Sequence, residues 1–152
     1  MNDIGKTNWK EGMDLLKKKK YNLAIEKFQN ALEFFRQKKN NIGESSCLLG
    51  ISLVNISNNK HEIAFETLEK GIQIVKKINF KPGIASFLMN RGLLFQKLKK
   101  FNNALKDYES SLELFIKIND INAIKNLQNI IKNCNEEKGK NKSLDDPLKR
   151  NH

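Results

Sequence analysis

The chain contains few of the residues that build disulfide, metal or membrane structures. Among 152 residues there are two cysteines, two histidines, two prolines and one tryptophan. Cys47 and Cys134 are too few and too far apart for a disulfide framework or a zinc site, which favours reduced thiols. No apolar run reaches the roughly 18 residues that a transmembrane helix needs, and the N-terminal stretch MNDIGKTNWKEG lacks the apolar core of a secretory signal. We therefore expect a cytoplasmic protein that does not insert into membranes.

The motifs of catalytic sites are missing as well. The sequence has no phosphate-cradling glycine loop, no cluster of metal ligands and no nucleophile elbow. Asp145 and Asp146 are adjacent carboxylates, but they lie in a charged segment without periodicity, which cannot hold a catalytic geometry. The sequence thus predicts a protein that is not an enzyme, with no catalytic residues, no metal and no cofactor.

Acidic residues are scarce relative to basic ones. The chain has 17 Asp and Glu against 28 Lys and Arg, a formal net charge of +11, and 25 of the basic residues are lysine. Such an excess favours binding to nucleic acid or to another anionic surface. The same excess also arises from AT-rich codons, which favour lysine, asparagine and isoleucine, and lysine solvates exposed helix faces. Both explanations stay open at this point.

What the sequence does have is a repeat of 40 residues. The segment Tyr21–Leu32, YNLAIEKFQNAL, returns in kind at His61 and again at Phe101, without a gap. Each unit contains two stretches with helical apolar periodicity joined by a short polar turn, and such a pair folds as an antiparallel hairpin. Because a period of this size held over three copies is typical of stacked repeats, we predict an all-α superhelical stack of three hairpins.

The repeats divide the chain into one domain, residues 1–138, and a tail, residues 139–152. The predicted repeats are residues 4–40, 41–80 and 81–120, and their predicted helices are Asp3–Lys19, Asn22–Gln37, Glu44–Ser57, His61–Lys77, Pro82–Lys99 and Asn102–Ile118. A lone helix over residues 121–138 carries one apolar stripe and is predicted to cap the last hairpin. The tail is charged and without periodicity, so we predict that it is disordered.

The repeated columns resemble those of the tetratricopeptide repeat, in a variant longer than the usual ~34 residues. The matching columns are a small residue at Gly12, Ser52 and Gly92, an aromatic at Tyr21, His61 and Phe101, an alanine at Ala24, Ala64 and Ala104, and a bulky residue at Phe28, Leu68 and Tyr108. This resemblance implies a right-handed superhelix with a concave groove lined by the first helix of each repeat. Glu11 and Arg91 depart from the pattern, since their column is normally apolar. His61 lies in the aromatic column, so packing is a better explanation for it than acid–base chemistry.

The resemblance also assigns the lining of that groove. Its columns are Trp9, Leu49 and Met89; Met13, Leu53 and Leu93; and Leu16, Ile56 and Gln96. From these columns and their neighbours we select, as partner-binding residues, Trp9, Met13, Leu16, Leu53, Ile56, Met89, Asn90, Leu93 and Lys97. Asn90 and Lys97 are expected to orient the ligand, and the others to contact its apolar side chains. The alternative is that tight superhelical packing simply buries the apolar members.

These patterns predict a non-enzymatic scaffold or adaptor that binds a peptide or an amphipathic helix of a partner protein in the groove. The polar clamp with which chaperone-binding members of the family hold a C-terminal carboxylate is absent, since its positions are occupied by Trp9, Met13, Gly50, Ser86 and Asn90. Two alternatives remain: a basic α-solenoid that binds nucleic acid, and a module that associates with a second copy of itself.

Overall fold

The computed structural model describes residues 3–144, and over that range the chain folds into seven α-helices. They are α1 (Ile4–Lys17), α2 (Tyr21–Gln37), α3 (Asn41–Ser57), α4 (His61–Lys77), α5 (Lys81–Lys97), α6 (Phe101–Lys117) and α7 (Ile121–Leu144). From α3 to α7 each helix begins 20 residues after the one before it, so two helices fill each 40-residue repeat. The predicted all-α repeat stack is confirmed.

Helices that are adjacent in the chain are also neighbours in space. Within the hairpins α1 packs on α2, α3 on α4 and α5 on α6, and between hairpins α2 packs on α3 and α4 on α5. The first helices also touch one another, α1 with α3 and α3 with α5, so they form one continuous wall. This wall is the surface on which the predicted groove residues lie.

Helix α7 lies where the first helix of a further repeat would lie. It packs against α6 and buries Leu127 and Cys134 completely, whereas Lys125, Gln128 and Lys132 are exposed. It also extends beyond residue 138, through part of the segment that we predicted to be disordered. Lysine is a good helix former, and Lys138, Asn141 and Ser143 are half-buried there, which explains the continuation. The rest of the predicted tail, residues 145–152, lies outside the described residues.

The six turns that join these helices share one hydrogen-bonding pattern. In the first, the Lys20 N–H donates to the Leu15 carbonyl at 2.9 Å and the Lys19 N–H to the Leu16 carbonyl at 2.9 Å, the two bonds of a Schellman motif. The middle residue of each turn has φ between 52° and 60°; these residues are Lys19, Lys39, Asn59, Asn79, Lys99 and Asn119. Because α2 follows directly from such a turn, its N-cap is Lys20, and Asn22, where we predicted the helix to start, lies inside the first helical turn.

Replacing the three lysines at these left-handed positions with glycine is expected to stabilise the fold. An L-residue in this conformation costs about 1–2 kcal/mol. Glycine avoids that cost but loses about 0.5–1 kcal/mol through the entropy of the unfolded chain. We expect Lys19→Gly, Lys39→Gly and Lys99→Gly each to raise the free energy of unfolding by about 0.5 kcal/mol, measured by urea denaturation. Asn59→Gly is the control and should gain less, since asparagine tolerates this conformation; equal gains at both residue types would contradict the explanation.

Small residues in the first helices make room for large rings. Phe28 is fully buried between Gly12 of its own hairpin and Gly50 of the next. A Cβ atom would lie 2.9 Å from the Phe28 ring if added at Gly12 and 2.5 Å if added at Gly50. Ser52, which is also fully buried, holds the repeat position two residues beyond Gly50. The Phe28 ring therefore requires a small residue at position 50, and the complete burial of Ser52 favours a small residue there too.

Candidate partner-binding groove

The side chains of the three predicted groove columns are all buried to a similar, intermediate extent. Each member is half-buried: Trp9, Leu49, Met89, Met13, Leu53, Leu93, Leu16, Ile56 and Gln96. Trp9, for example, packs against two parts of the hydrophobic core, and Met89 packs against the cluster that α6 and α7 share. A side chain in this state is held by the core and still presents apolar surface to solvent. Groove lining and core packing are therefore not exclusive explanations for these residues.

Trp9 is held in place by a bond to the neighbouring hairpin. Its indole Nε1 donates to the Ser46 carbonyl at 3.2 Å, which ties α1 to α3. Recesses lie on both sides of the ring. One has a volume of about 330 Å³ and is lined by Lys6, Trp9, Lys10, Phe35, Asn40, Ile42, Gly43 and Ser46. The other, about 300 Å³, is lined by Trp9, Lys10, Met13, Asp14 and Lys17.

A third recess continues the same wall between α3 and α5. It has a volume of about 230 Å³ and is lined by Ser45, Ser46, Leu49, Phe80, Pro82, Gly83, Ser86 and Phe87. Leu49, from the first groove column, is thus the member that faces this recess. Together the three recesses follow the wall from α1 to α5, each of a size that accepts one or two side chains.

The two polar residues that we predicted to orient a ligand have partners within the fold. The Asn90 Nδ2 donates to the Ser86 carbonyl at 2.7 Å, and the residue is only 6% exposed. The Lys97 Nζ donates to the Ile56 carbonyl at 2.9 Å, which ties α5 to the last turn of α3. Lys97 is exposed, so its ammonium has further donors for a ligand, whereas Asn90 must rotate to reach one. Sequence reasoning missed both bonds because their acceptors are backbone carbonyls.

Gln96, the polar member of the third column, belongs to a network that joins three helices. Its Oε1 accepts a hydrogen bond from the Tyr108 hydroxyl at 2.7 Å, and its Nε2 donates to Glu137 of α7 at 3.0 Å. Burial raises the pKa of the Tyr108 hydroxyl, so the phenol stays protonated and keeps donating at physiological pH. The groove therefore changes from apolar to polar towards α7.

The two departures from the family pattern, Glu11 and Arg91, both form ion pairs. Arg91 binds Asp107 through two bonds of 2.7 Å and Glu69 through a third of 2.7 Å, which joins α5 to α6 and to α4. The bonds to Asp107 are the main reason that the pKa of the Arg91 guanidinium is raised. Glu11 pairs with Lys27 at 2.7 Å in the first repeat. The first and third repeats thus carry an ion pair at equivalent positions, with the charges exchanged. The first helix supplies the acidic residue in the first repeat and the basic residue in the third.

The two cysteines and His61 lie in largely buried surroundings. Cys47 and Cys134 are both buried. Burial raises the pKa of the Cys47 thiol to about 12 and also raises that of Cys134, which keeps both in the unreactive thiol form. The Nδ1 atom of His61 is buried without a hydrogen-bond partner in the described structure. The ring therefore packs against its neighbours, as the other members of the aromatic turn column do. Among residues 3–144, no three His, Cys, Asp or Glu side chains come together as metal ligands would.

A basic recess lies outside the groove, where the start of α6 meets the end of α7. It has a volume of about 270 Å³ and is lined by Lys99, Lys100, Phe101, Asn102, Asn103, Lys138, Asn141 and Lys142. Four ammonium groups around one recess attract anions. Phe101 is only 8% exposed, so its ring offers no platform on which a nucleic-acid base would stack.

Across the described part of the chain, no helix is both long and apolar enough to span a membrane.

Comparison with known proteins agrees with this architecture. Residues 85–115, which cover most of α5 and α6, match the family model of the tetratricopeptide repeat. Over 92% of its length the chain also superposes on the crystal structure of the apo form of RapI, with a TM-score of 0.80 and 20% sequence identity. The chain spans about half of RapI, 52% of that chain, and at this identity the likeness concerns the fold. No curated protein sequence matches the chain. The resemblance to the tetratricopeptide repeat is confirmed.

Proposed function

We propose that this chain of tetratricopeptide repeats is a non-enzymatic adaptor of the cytoplasm, which binds a segment of another protein in the groove along α1, α3 and α5. The observation that supports this proposal is the continuous row of half-buried apolar side chains on these three helices, with Trp9 at one end and Met89 at the other. Burying the rest of that apolar surface under a ligand is favourable by roughly 25 cal/mol per Å². The fold already holds these side chains, so binding immobilises few of them.

The shape of the groove favours a peptide or a helix as the ligand. Packed helices lie about 8–10 Å apart, so the recesses between α1 and α3 and between α3 and α5 repeat at about that distance. Side chains on one face of a bound helix, or alternate side chains of an extended peptide, fit recesses at such intervals. Large apolar residues that enter such recesses usually supply most of the binding energy.

The double substitution of Trp9→Ala and Met89→Ala is expected to weaken partner capture at least about tenfold, because a single anchor residue is often worth more than 1.4 kcal/mol. The measurement is a quantitative pull-down of partners from the native cells, with the helical content and thermal midpoint of each variant checked by circular dichroism. Leu23→Ala with Ile116→Ala is the matched control. Both of its residues are about half exposed, at 50% and 56%, and lie on second helices away from the groove. The control variant should capture partners as the unmodified chain does.

A nuclease treatment in the same pull-down addresses the alternative function. The basic recess beside α6 and α7 favours a polyanion, and nucleic-acid binding through it would fall steeply as salt is added. Partners that the Trp9 and Met89 variant retains, and that nuclease removes, would support the nucleic-acid alternative and contradict the groove proposal. Partners that survive nuclease and are lost with the groove residues would support the adaptor.

A further inference from the structure

The groove has two chemically different ends. At the α1 end the wall carries Lys6, Trp9, Met13 and Leu16. Three repeats on, at the α7 end, the equivalent positions carry Asn126, Asn129, Asn133 and Glu136, all of them exposed. Large apolar anchors therefore find apolar side chains and recesses towards α1, whereas the described α7 end offers hydrogen bonds and negative charge at these positions. A ligand that matches the whole groove must be asymmetric along its length.

The net charge at the α1 end is positive. Lys6, Lys10 and Lys17 line the recesses on the two sides of Trp9, and Asp14 is the single carboxylate among the lining residues. None of the three lysines forms an ion pair with a carboxylate of residues 3–144. A concave, partly apolar wall concentrates the field of such charges. The α1 end consequently attracts anionic groups and repels cationic ones.

The larger recess beside Trp9 has the properties of an anchor pocket. One wall is the indole that the bond to Ser46 holds in place, and another is Ile42, which is 47% exposed in the described structure. Its volume of about 330 Å³ is at the lower end of the range of ligand pockets, roughly 300–1,000 Å³. It accepts a large apolar side chain, and Lys6 and Lys10 lie at its rim to pair with carboxylates on either side of that residue.

We infer that the partner segment is an acidic amphipathic one, which places an apolar anchor beside Trp9 and pairs its carboxylates with Lys6 and Lys10. This inference rests on the proposed function, because it specifies the chemistry of the segment that the groove binds. It also fixes the direction of binding, with the acidic, apolar end of the segment on α1 and its polar end towards α7. A basic segment meets like charge at Lys6 and Lys10, and a segment without large apolar residues leaves the recess empty.

Three synthetic helical peptides test the inference. Each carries leucines on one face, and the opposite face carries glutamates in the first peptide, glutamines in the second and lysines in the third. Trp9 is the only tryptophan of the chain, so its fluorescence reports directly on the recess. We expect the glutamate peptide to shift the emission of Trp9 and to bind at least about tenfold more tightly than the lysine peptide at low salt, with an advantage that shrinks as salt is added.

Two double variants give the matched comparison. K6Q/K10Q should weaken binding of the glutamate peptide about fivefold and make it less sensitive to salt, since rim charges act mainly through steering and screening. K125Q/K132Q removes the same charge from the exposed outer face of α7 and should change nothing. Equal affinity for the three peptides, a preference for the lysine peptide, or no binding of any of them would overturn the inference. The pull-down with the Trp9 and Met89 variant judges the groove proposal separately, whatever the charge of the natural partner.

Discussion

Replacing Arg91 with alanine is expected to lower the free energy of unfolding by about 3 kcal/mol. The substitution leaves Asp107, whose side chain is only 8% exposed, as a charge without its partner. Breaking a buried pair in this way costs about 3–5 kcal/mol, and the lower figure applies because the side chains of Arg91 and Glu69 are 22% and 39% exposed. Loss of the bond to Glu69 also loosens α5 from α4. Urea denaturation followed by circular dichroism measures the change.

The chain supplies its own control for this prediction. In the second repeat the positions of Arg91 and Asp107 are held by Ile51 and Thr67. The double variant R91I/D107T copies that uncharged pair, leaves no charge buried alone, and should cost less than about 1 kcal/mol. If it cost as much as the alanine variant, the loss would come from the shape of the site and not from its charge. In the first repeat Glu11→Ala should cost less than about 1 kcal/mol, since the side chains of Glu11 and Lys27 are 47% and 36% exposed and solvent screens their pairing.

The two ion pairs within hairpins could have been predicted from the sequence, because the partner charges recur at a fixed spacing. Glu11 and Arg91 were noticed only as departures from an apolar column. The signal that explains them lies 16 residues further on in each repeat, where Lys27 and Asp107 hold the opposite charge. Residues at this spacing face each other across a hairpin, so each departure has its compensation in the second helix. Glu69, the third member of the Arg91 network, comes from a different repeat and has no such marker.

The fold itself was predictable because its packing rule repeats. A small residue facing a large one recurs at each 40-residue step, and this pattern is visible without knowing the structure. The helix ends were less predictable. The third helix begins at Asn41 and not at Glu44. The middle residue of each turn is lysine or asparagine where many chains have glycine, so the sequence does not mark where the turns end. The continuation of α7 to Leu144 coincides with the half-burial of Lys138, Asn141 and Ser143, which a periodicity argument does not contain.

The groove was only partly predictable for a related reason. The side chains of the apolar columns are all half-buried because helical periodicity places them on the same face of the first helices. Asn90 and Lys97 are different, since each donates to a backbone carbonyl, which any residue type at the acceptor position would supply: Ser86 in the preceding turn of α5 for Asn90, and Ile56 of α3 for Lys97. The charge difference between the two ends of the groove was present in the sequence. It became apparent only when α7 was seen to occupy the place of a further first helix.

Replacing Phe28 with alanine is expected to lower the free energy of unfolding by about 4 kcal/mol, within the range of about 3–5 kcal/mol for such changes in a core. The Phe28 ring is completely buried and fills the space between Gly12 and Gly50, two positions without side chains. No neighbouring side chain at those positions can move to fill the cavity. Because the ring joins the first hairpin to the second, its loss should also reduce the cooperativity of unfolding between them. The fluorescence of Trp9 in α1 and circular dichroism of the whole chain should then report separate transitions.

A double-mutant cycle between positions 28 and 50 tests whether glycine is present at 50 because of the ring. Gly50→Ala alone places a Cβ 2.5 Å from Phe28 and should cost about 1–3 kcal/mol through overpacking. In a Phe28→Leu background the clashing ring atoms are gone, as they are at Leu68 in the second repeat, and the same change should gain up to about 0.5–1 kcal/mol from helix propensity. Gly139→Ala in α7, where nothing lies within 4 Å of the added atom, measures that propensity alone and should also stabilise. If Gly50→Ala cost the same in both backgrounds, the close approach of α3 to the ring would not be what requires glycine there.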